Sequence, residues 1–229
     1  MISSQRLADS VRRTLRDDFS FGEKSYTDEE LAEYVNRAIP FVVSLDSSAS
    51  IKTAEIPLVE GVYQALPAGG QRLVKIITNN LPNIKERIDG RVFSGKSAPK
   101  VLPLSTMSSQ NREWANSRHT SVVTTVIFNK DDPKSFMVYP PNTSTGKLMA
   151  TYSYVQNAIA ALSDSEDVEL GERYFNALMY HMMYSCLTRD GEDSSNSKRA
   201  MEMYQMSVAE LTGITQNDIA DTEPETVRA

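Results

Sequence analysis

Residues 171–188 read GERYFNALMYHMMYSCLT, and residues 196–211 read NSKRAMEMYQMSVAEL. In the first string Tyr174, Phe175, Leu178, Met179, Tyr180, Met182, Met183, Tyr184, Cys186 and Leu187 point almost everywhere around a 3.6-residue helix, so no face is left for water. The second is narrower: Met201, Tyr204, Val208 and Leu211 make one stripe, with Lys198, Arg199, Glu202 and Glu210 outside it. Residues 190–195, DGEDSS, are turn chemistry and short enough to make the two helices antiparallel neighbours. A helix apolar all round needs cover on several sides, and neighbouring copies of the same chain supply it most simply. The hairpin therefore predicts a subunit interface containing Phe175, Met179, Met183 and Tyr204.

At 229 residues, 40% hydrophobic and 24% charged, the chain can bury one generous core or two small ones. A net charge of -6 argues against a nucleic-acid groove binder, which carries a basic face, but leaves room for a surface that DNA slides past. Cys186 is alone, so no intramolecular disulfide can form, and a buried inert thiol is expected. Residues 1–10 are polar and no apolar run approaches membrane-spanning length, which places the chain in a cytoplasm or in something assembled there.

Working outward, Leu7, Val11 and Leu15 recur every four residues and predict a first amphipathic helix. Thr27 with Glu30 makes a capping box, Tyr26 and Leu31 a hydrophobic staple, and Leu31, Tyr34, Val35 and Ala38 a buried stripe that Pro40 stops or kinks. From Thr53 the pattern turns to strands. Residues 54–58 suit an edge strand because Pro57 cannot donate to a ladder, and residues 67–70 turn the chain into a strand at 73–77. Residues 79–104 predict loop with strand fragments. Residues 120–128, 135–139 and 147–156 predict three strands of an antiparallel meander. The fold class is then α+β: residues 1–52 and 157–213 form a helical body, residues 53–156 an antiparallel β-rich insertion, and residues 214–229 an extended tail that nothing within the subunit holds.

One string demands a chemical answer. Gly90-Arg91-Val92-Phe93-Ser94-Gly95-Lys96-Ser97 fits the P-loop pattern, and Asn129-Lys130-Asp131-Asp132 resembles a guanine-reading motif. A P-loop must follow a buried strand and open a helix, whose N-terminus supplies part of the phosphate field. Pro99 and Pro103 forbid a useful helix here, so a nucleotide-dependent enzyme is the weaker alternative. His119 and His181 have no partner at metal-ligand spacing, and His181 is expected to make a helix-facing polar contact. Paired carboxylates fall in turns and helix starts. Trp114 predicts an anchor for a loop or an interface. No catalytic residue, cofactor or metal is assigned.

The order of these pieces resembles the tailed-bacteriophage adaptor proteins, the head-to-tail connector or head-completion family. The resemblance runs through residues 27–31 and Asn36, Ile56-Pro57-Leu58 to Gly61, Gln64-Ala65-Leu66-Pro67, Trp114, Asp132-Pro133, residues 136–141 and the final hairpin to Gly213. It implies a structural virion protein: a homo-oligomeric ring, twelvefold in such phages, docked under the portal protein and offering a platform to a tail tube or nozzle protein. DNA would pass through without sequence-specific binding, and a mildly acidic ring would repel its backbone. The tail would dock on the portal, with Ile219 and Val227 as apolar anchors among Asp221, Glu223 and Pro224. Another neck or tail-completion protein, such as a tail terminator, is the alternative within the same class.

Overall fold

The computed structural model describes residues 1–17, 25–110, 114–128, 132–163, 167–189 and 194–222, and the side chains of all of these except 110, 194 and 215–222. In chain order it begins with β1 (Ile2–Ser3), α1 (Ser4–Leu15), α2 (Asp28–Leu45), β2 (Ile51–Pro57), β3 (Glu60–Ala65), β4 (Gly70–Asn79), β5 (Lys85–Ile88), β6 (Arg91–Ser94) and β7 (Lys100–Leu102). Then come α3 (Leu104–Gln110), β8 (Thr125–Phe128), β9 (Ser135–Thr143), β10 (Lys147–Tyr154), β11 (Asp167–Val168), α4 (Phe175–Arg189) and α5 (Ser194–Thr222). Contacts divide the chain into a helical unit, residues 1–50 with 156–229, and a β unit, residues 51–155. Helices and sheets are mixed in the α+β manner.

In the helical unit α1 and α2 start where the sequence provides a cap. Ser3 accepts from the Arg6 amide at the head of α1. Thr27 and Glu30 exchange both bonds of a capping box at the head of α2. The stripe Leu31, Tyr34, Val35 and Ala38 is buried, and it continues to Ile39, Val42 and Val43. Pro40 therefore does not stop α2, which runs on to Leu45. The backbone bond that Pro40 forgoes is offset by the apolar surface buried on either side of it. The polar opening hides one strand residue: Ile2 is fully buried, and β1 pairs antiparallel with β11 through Ile2 and Val168. Asn36 takes the place of a backbone partner for the chain after β10, since its amide both donates to the Ile159 carbonyl (2.9 Å) and accepts from the Ile159 amide (2.8 Å).

The β unit holds two sheets, ordered β2-β10-β4 and β3-β9-β8-β7, and a separate hairpin of β5 and β6. Their facing side chains form one core from Ile56, Leu73, Ile76, Val126, Phe136, Val138, Leu148 and Tyr152, with other residues around it. The other face of β9 sends Met137 and Tyr139 into a second cluster with Trp114, Met107 and Ile127. β9 is covered on both faces, which is why its sequence is apolar without alternation. β10 alternates instead, with Leu148, Ala150 and Tyr152 buried.

Three expectations need correction here. The meander does not form: β8 and β9 pair, but β10 lies in the other sheet, between β2 and β4. The buried Asn142 accounts for the departure. Its side chain donates to the carbonyls of Thr120 and Ser121 and accepts from the Gly146 amide, so the chain after β9 is fastened to a loop before turning into β10. Nor is the β unit wholly antiparallel, since β7 pairs parallel with β8. Finally, only residues 125–128 of the expected strand at 120–128 belong to a named strand. The backbone of 121–123 is satisfied by side chains: Glu86 accepts from the amides of Ser121 and Val122, and Asn79 bonds both the amide and the carbonyl of Val123.

Candidate assembly surfaces

The all-round apolar surface of α4 is covered by the chain itself. α1, α2 and α5 all pack on it, and Ala177, Leu178, Met182, Met183, Cys186 and Leu187 are buried. Met183 is only 3% exposed and packs in the core of the subunit. Phe175 and Met179 are half-buried, with the Arg6 guanidinium 4.6 Å above the Phe175 ring, and Tyr204 is 36% exposed. On α5 the buried side is Ala200, Ser207 and Leu211, so the apolar stripe is turned from the one expected. Small residues explain the turn. The Ser207 hydroxyl donates to the Ala177 carbonyl at 2.8 Å, a close helix crossing that a large side chain at either position would prevent. Met201 (54% exposed) and Met206 (42%) are left to solvent with Tyr204.

Beside this face lies a groove of 480 Å³ lined by Glu30, Glu33, Tyr34, Arg37, His181, Tyr184, Ser185, Thr188 and Arg189. Its rim is already paired. Arg37 bonds Glu33 one turn away, and Arg189 reaches Glu30 at 2.6 Å while lying 4.7 Å over the Tyr26 ring. The capping bond from the Thr27 amide, helped by Arg189, holds the Glu30 carboxyl below its ordinary value. The floor is aromatic. His181 lies 4.2 Å from Phe41 and 5.7 Å from Tyr184, while Tyr204 closes the set at 5.4 Å from Tyr184 and 5.7 Å from Phe41. His181 does not make its expected polar contact: its Nδ1 is buried with no hydrogen-bond partner among the described residues. Burial pushes the imidazole down to about 4, so it is neutral near pH 7 and packs as an aromatic ring.

A second polar group was not foreseen from sequence. The Tyr174 hydroxyl donates to Asp46 at 2.7 Å and accepts from Arg173 at 2.7 Å. Burial and the bond to Asp46 raise the phenol to about 12. Burial opposes charge on Asp46, but donors from Ser48 and Tyr174 outweigh it and bring the carboxyl below its ordinary value. This knot ties the end of α2 to the turn before α4, and only the apolar-rich setting of Asp46 in the sequence could have hinted at it.

The P-loop string folds as something else. Asp89 (φ 50°) and Gly90 (φ 78°) form the tight turn of the β5–β6 hairpin. The amides a phosphate would need are committed to the chain: Gly95 donates to the Ile84 carbonyl, Ser97 to the Ser94 carbonyl, and Lys96 to the Ser94 hydroxyl. The next element along the chain is β7, not a helix, so the string forms no phosphate cradle. Asn129-Lys130-Asp131 lies outside the described residues. Trp114 anchors a β-unit cluster and is 8% exposed. His119 stands at the surface, 3.7 Å from Glu60. Among the described residues no three His, Cys, Asp or Glu side chains could hold a metal ion, and no helix is long and apolar enough to cross a membrane.

The expected extended tail is helical as far as Thr222, and Gly213, whose surroundings are open, does not break the helix. Ile219 and Asp221 therefore sit on the last turns of α5, whereas Glu223, Pro224 and Val227 lie outside the described residues. An apolar helix face on the helical unit, with Met201, Tyr204 and Met206 exposed on α5, is the surface an assembly component needs. The family model for the SU10 adaptor protein matches residues 4–228. The chain belongs to this family. The adaptor is thus a phage head–tail adaptor, a structural protein of the virion. Comparison with curated proteins gives no match.

Proposed function

We propose that the adaptor assembles as a twelvefold ring under the portal protein, presents its opposite side to a tail tube or nozzle protein, and lets DNA pass without reading its sequence. The family match over residues 4–228 carries this reading. The exposed Met201, Tyr204 and Met206 of α5 support a helix-mediated contact between copies, since clustered apolar side chains on a surface mark an interaction site. Phe175, Met179 and Tyr204 are the proposed contributors from the hairpin. The end of α5 and the residues after it, from Ile219 and Asp221 through Glu223, Pro224 and Val227, are proposed to dock on the portal. The helix from Leu211 to Thr222 advances about 17 Å, and the residues after it add to that reach. Weak docking per copy becomes strong when a ring repeats it. The mass of the species formed by adaptor and purified portal tests the reading. A twelve-copy ring bound to portal is expected; adaptor that stays monomeric with portal present would refute it.

A further inference from the structure

The charge of the chain is unevenly divided. Residues 51–155 hold thirteen Lys and Arg against seven Asp and Glu, a net +6, so the helical unit carries −12 of a chain whose total is −6. Within the β unit the hairpin of β5 and β6 carries Lys85, Arg87 and Arg91 against Glu86 and Asp89. The register sets Lys85 opposite Ser94 and Arg87 opposite Val92, and these share one face; Glu86 opposite Phe93 and Ile88 opposite Arg91 share the other. The second face is anchored, with Ile88 and Phe93 packed against Leu81 and Val122.

Both acidic residues of the hairpin are spent on that anchoring. Glu86 accepts from the Ser121 and Val122 amides, and Asp89 accepts from the Tyr139 hydroxyl at 2.7 Å. The cations are not spent. Lys85, Arg87, Arg91, Lys96 and Lys100 are all exposed, and none makes an ion pair among the described residues. An outward face with Lys85 and Arg87 about 7 Å apart along a strand, with Ser94 beside them and Val92 as its only large apolar residue, lacks the apolar core of a protein interface. It has the chemistry of phosphate-backbone contact, which asks for cations and hydroxyls and no shape-specific pocket.

We propose that the outer face of the β5–β6 hairpin contacts the phosphate backbone of double-stranded DNA, independently of sequence. The contact deepens the reading of a DNA-passing adaptor, but the test does not depend on ring formation. A fluorescent DNA duplex is titrated with the full-length adaptor at several salt concentrations, and the adaptor's mass is measured in parallel. Two phosphate contacts predict that raising salt from about 50 to about 200 mM weakens binding roughly twelve-fold. The double variant Lys85→Gln, Arg87→Gln should lose most of that binding and most of the salt slope. Its thermal transition should stay put, because both side chains are exposed. Absence of salt-dependent DNA binding, or equal binding by the variant, would overturn the proposal. So would binding to polyglutamate without binding to DNA, which would assign the face to an acidic protein. A variant that alters self-association while leaving DNA binding intact would assign it to the acidic helical unit of a second copy, and would equally overturn it. Failure of the ring with DNA binding preserved would fall on the proposed assembly alone.

Discussion

Tyr174 and His181 show how single buried polar groups are settled in opposite ways. The Tyr174 hydroxyl has both a donor and an acceptor role filled, so Tyr174→Phe leaves Asp46 without one of its donors. A loss of roughly 1–2 kcal/mol is expected in denaturant titration, with the slope of the transition unchanged. His181 has no such partner for its Nδ1, and burial keeps it neutral. Its folded value of about 4 lies below the ordinary 6.5, so between those two pH values the unfolded chain holds a proton that the folded chain does not. Its contribution is intact above pH 6.5 and is lost as pH falls toward 4, with a slope of at most about 1.4 kcal/mol per pH unit. His181→Phe keeps a ring against Phe41 and should flatten this part of the stability–pH curve. Equal curves for the two proteins would show that the imidazole does not titrate there. The lowered carboxyls Asp46 and Glu30 act further into acid, where their favourable interactions vanish as they protonate.

For the helices, the decisive fact is which side of each is covered. Met183→Ala empties a site that is 3% exposed and should cost about 2–4 kcal/mol of stability whether or not copies associate. Met201→Ser acts on a residue 54% exposed, so the melting temperature should hold while self-association weakens. Measuring both quantities for both variants separates core from contact surface. If Met201→Ser assembles like the parent, that face of α5 is not where copies meet. At the head of α2, Thr27→Ala removes one half of a capping box and should destabilise the unit by about 1 kcal/mol, read as a shift in the thermal midpoint.

Across the whole molecule, α5 carries the chain from the helical hairpin to Thr222. Its last buried residue among the described side chains is Leu211, which is 2% exposed. Truncation after Gly213 should therefore leave a folded adaptor with the parent's thermal midpoint, less helical signal, and poor co-sedimentation with portal. Equal portal binding would remove the segment from docking, whereas unfolding would show that it supports the core. Truncation after Thr222 separates the helical turns bearing Ile219 and Asp221 from the residues beyond.

Local rules were legible in the sequence wherever one stretch of chain decides its own state. The capping box at Thr27 and Glu30, the amphipathic stripe after it, the turn before β4, and the two antiparallel helices of the hairpin depend on neighbours a few residues apart. So did the failure of the P-loop string, because prolines nearby forbid the helix it requires. The rest turned on partners far away in the chain. Asn79, Glu86 and Asn142 replace a neighbouring strand with side-chain bonds over 22 to 44 residues, and no periodicity announces that. The cover on α4 comes from α1, α2 and α5 together, so much of an apolar surface that called for outside cover is core, with Met182, Met183 and Cys186 buried in it. The rotation of α5 was set by the small Ala177 and Ser207 at the crossing, which outweighed the larger stripe of Met201 and Tyr204. Charge followed the same division: the sequence supplied its amount, but only the fold, by engaging Glu86 and Asp89 in hydrogen bonds, decided which charged groups of the hairpin are left for a partner.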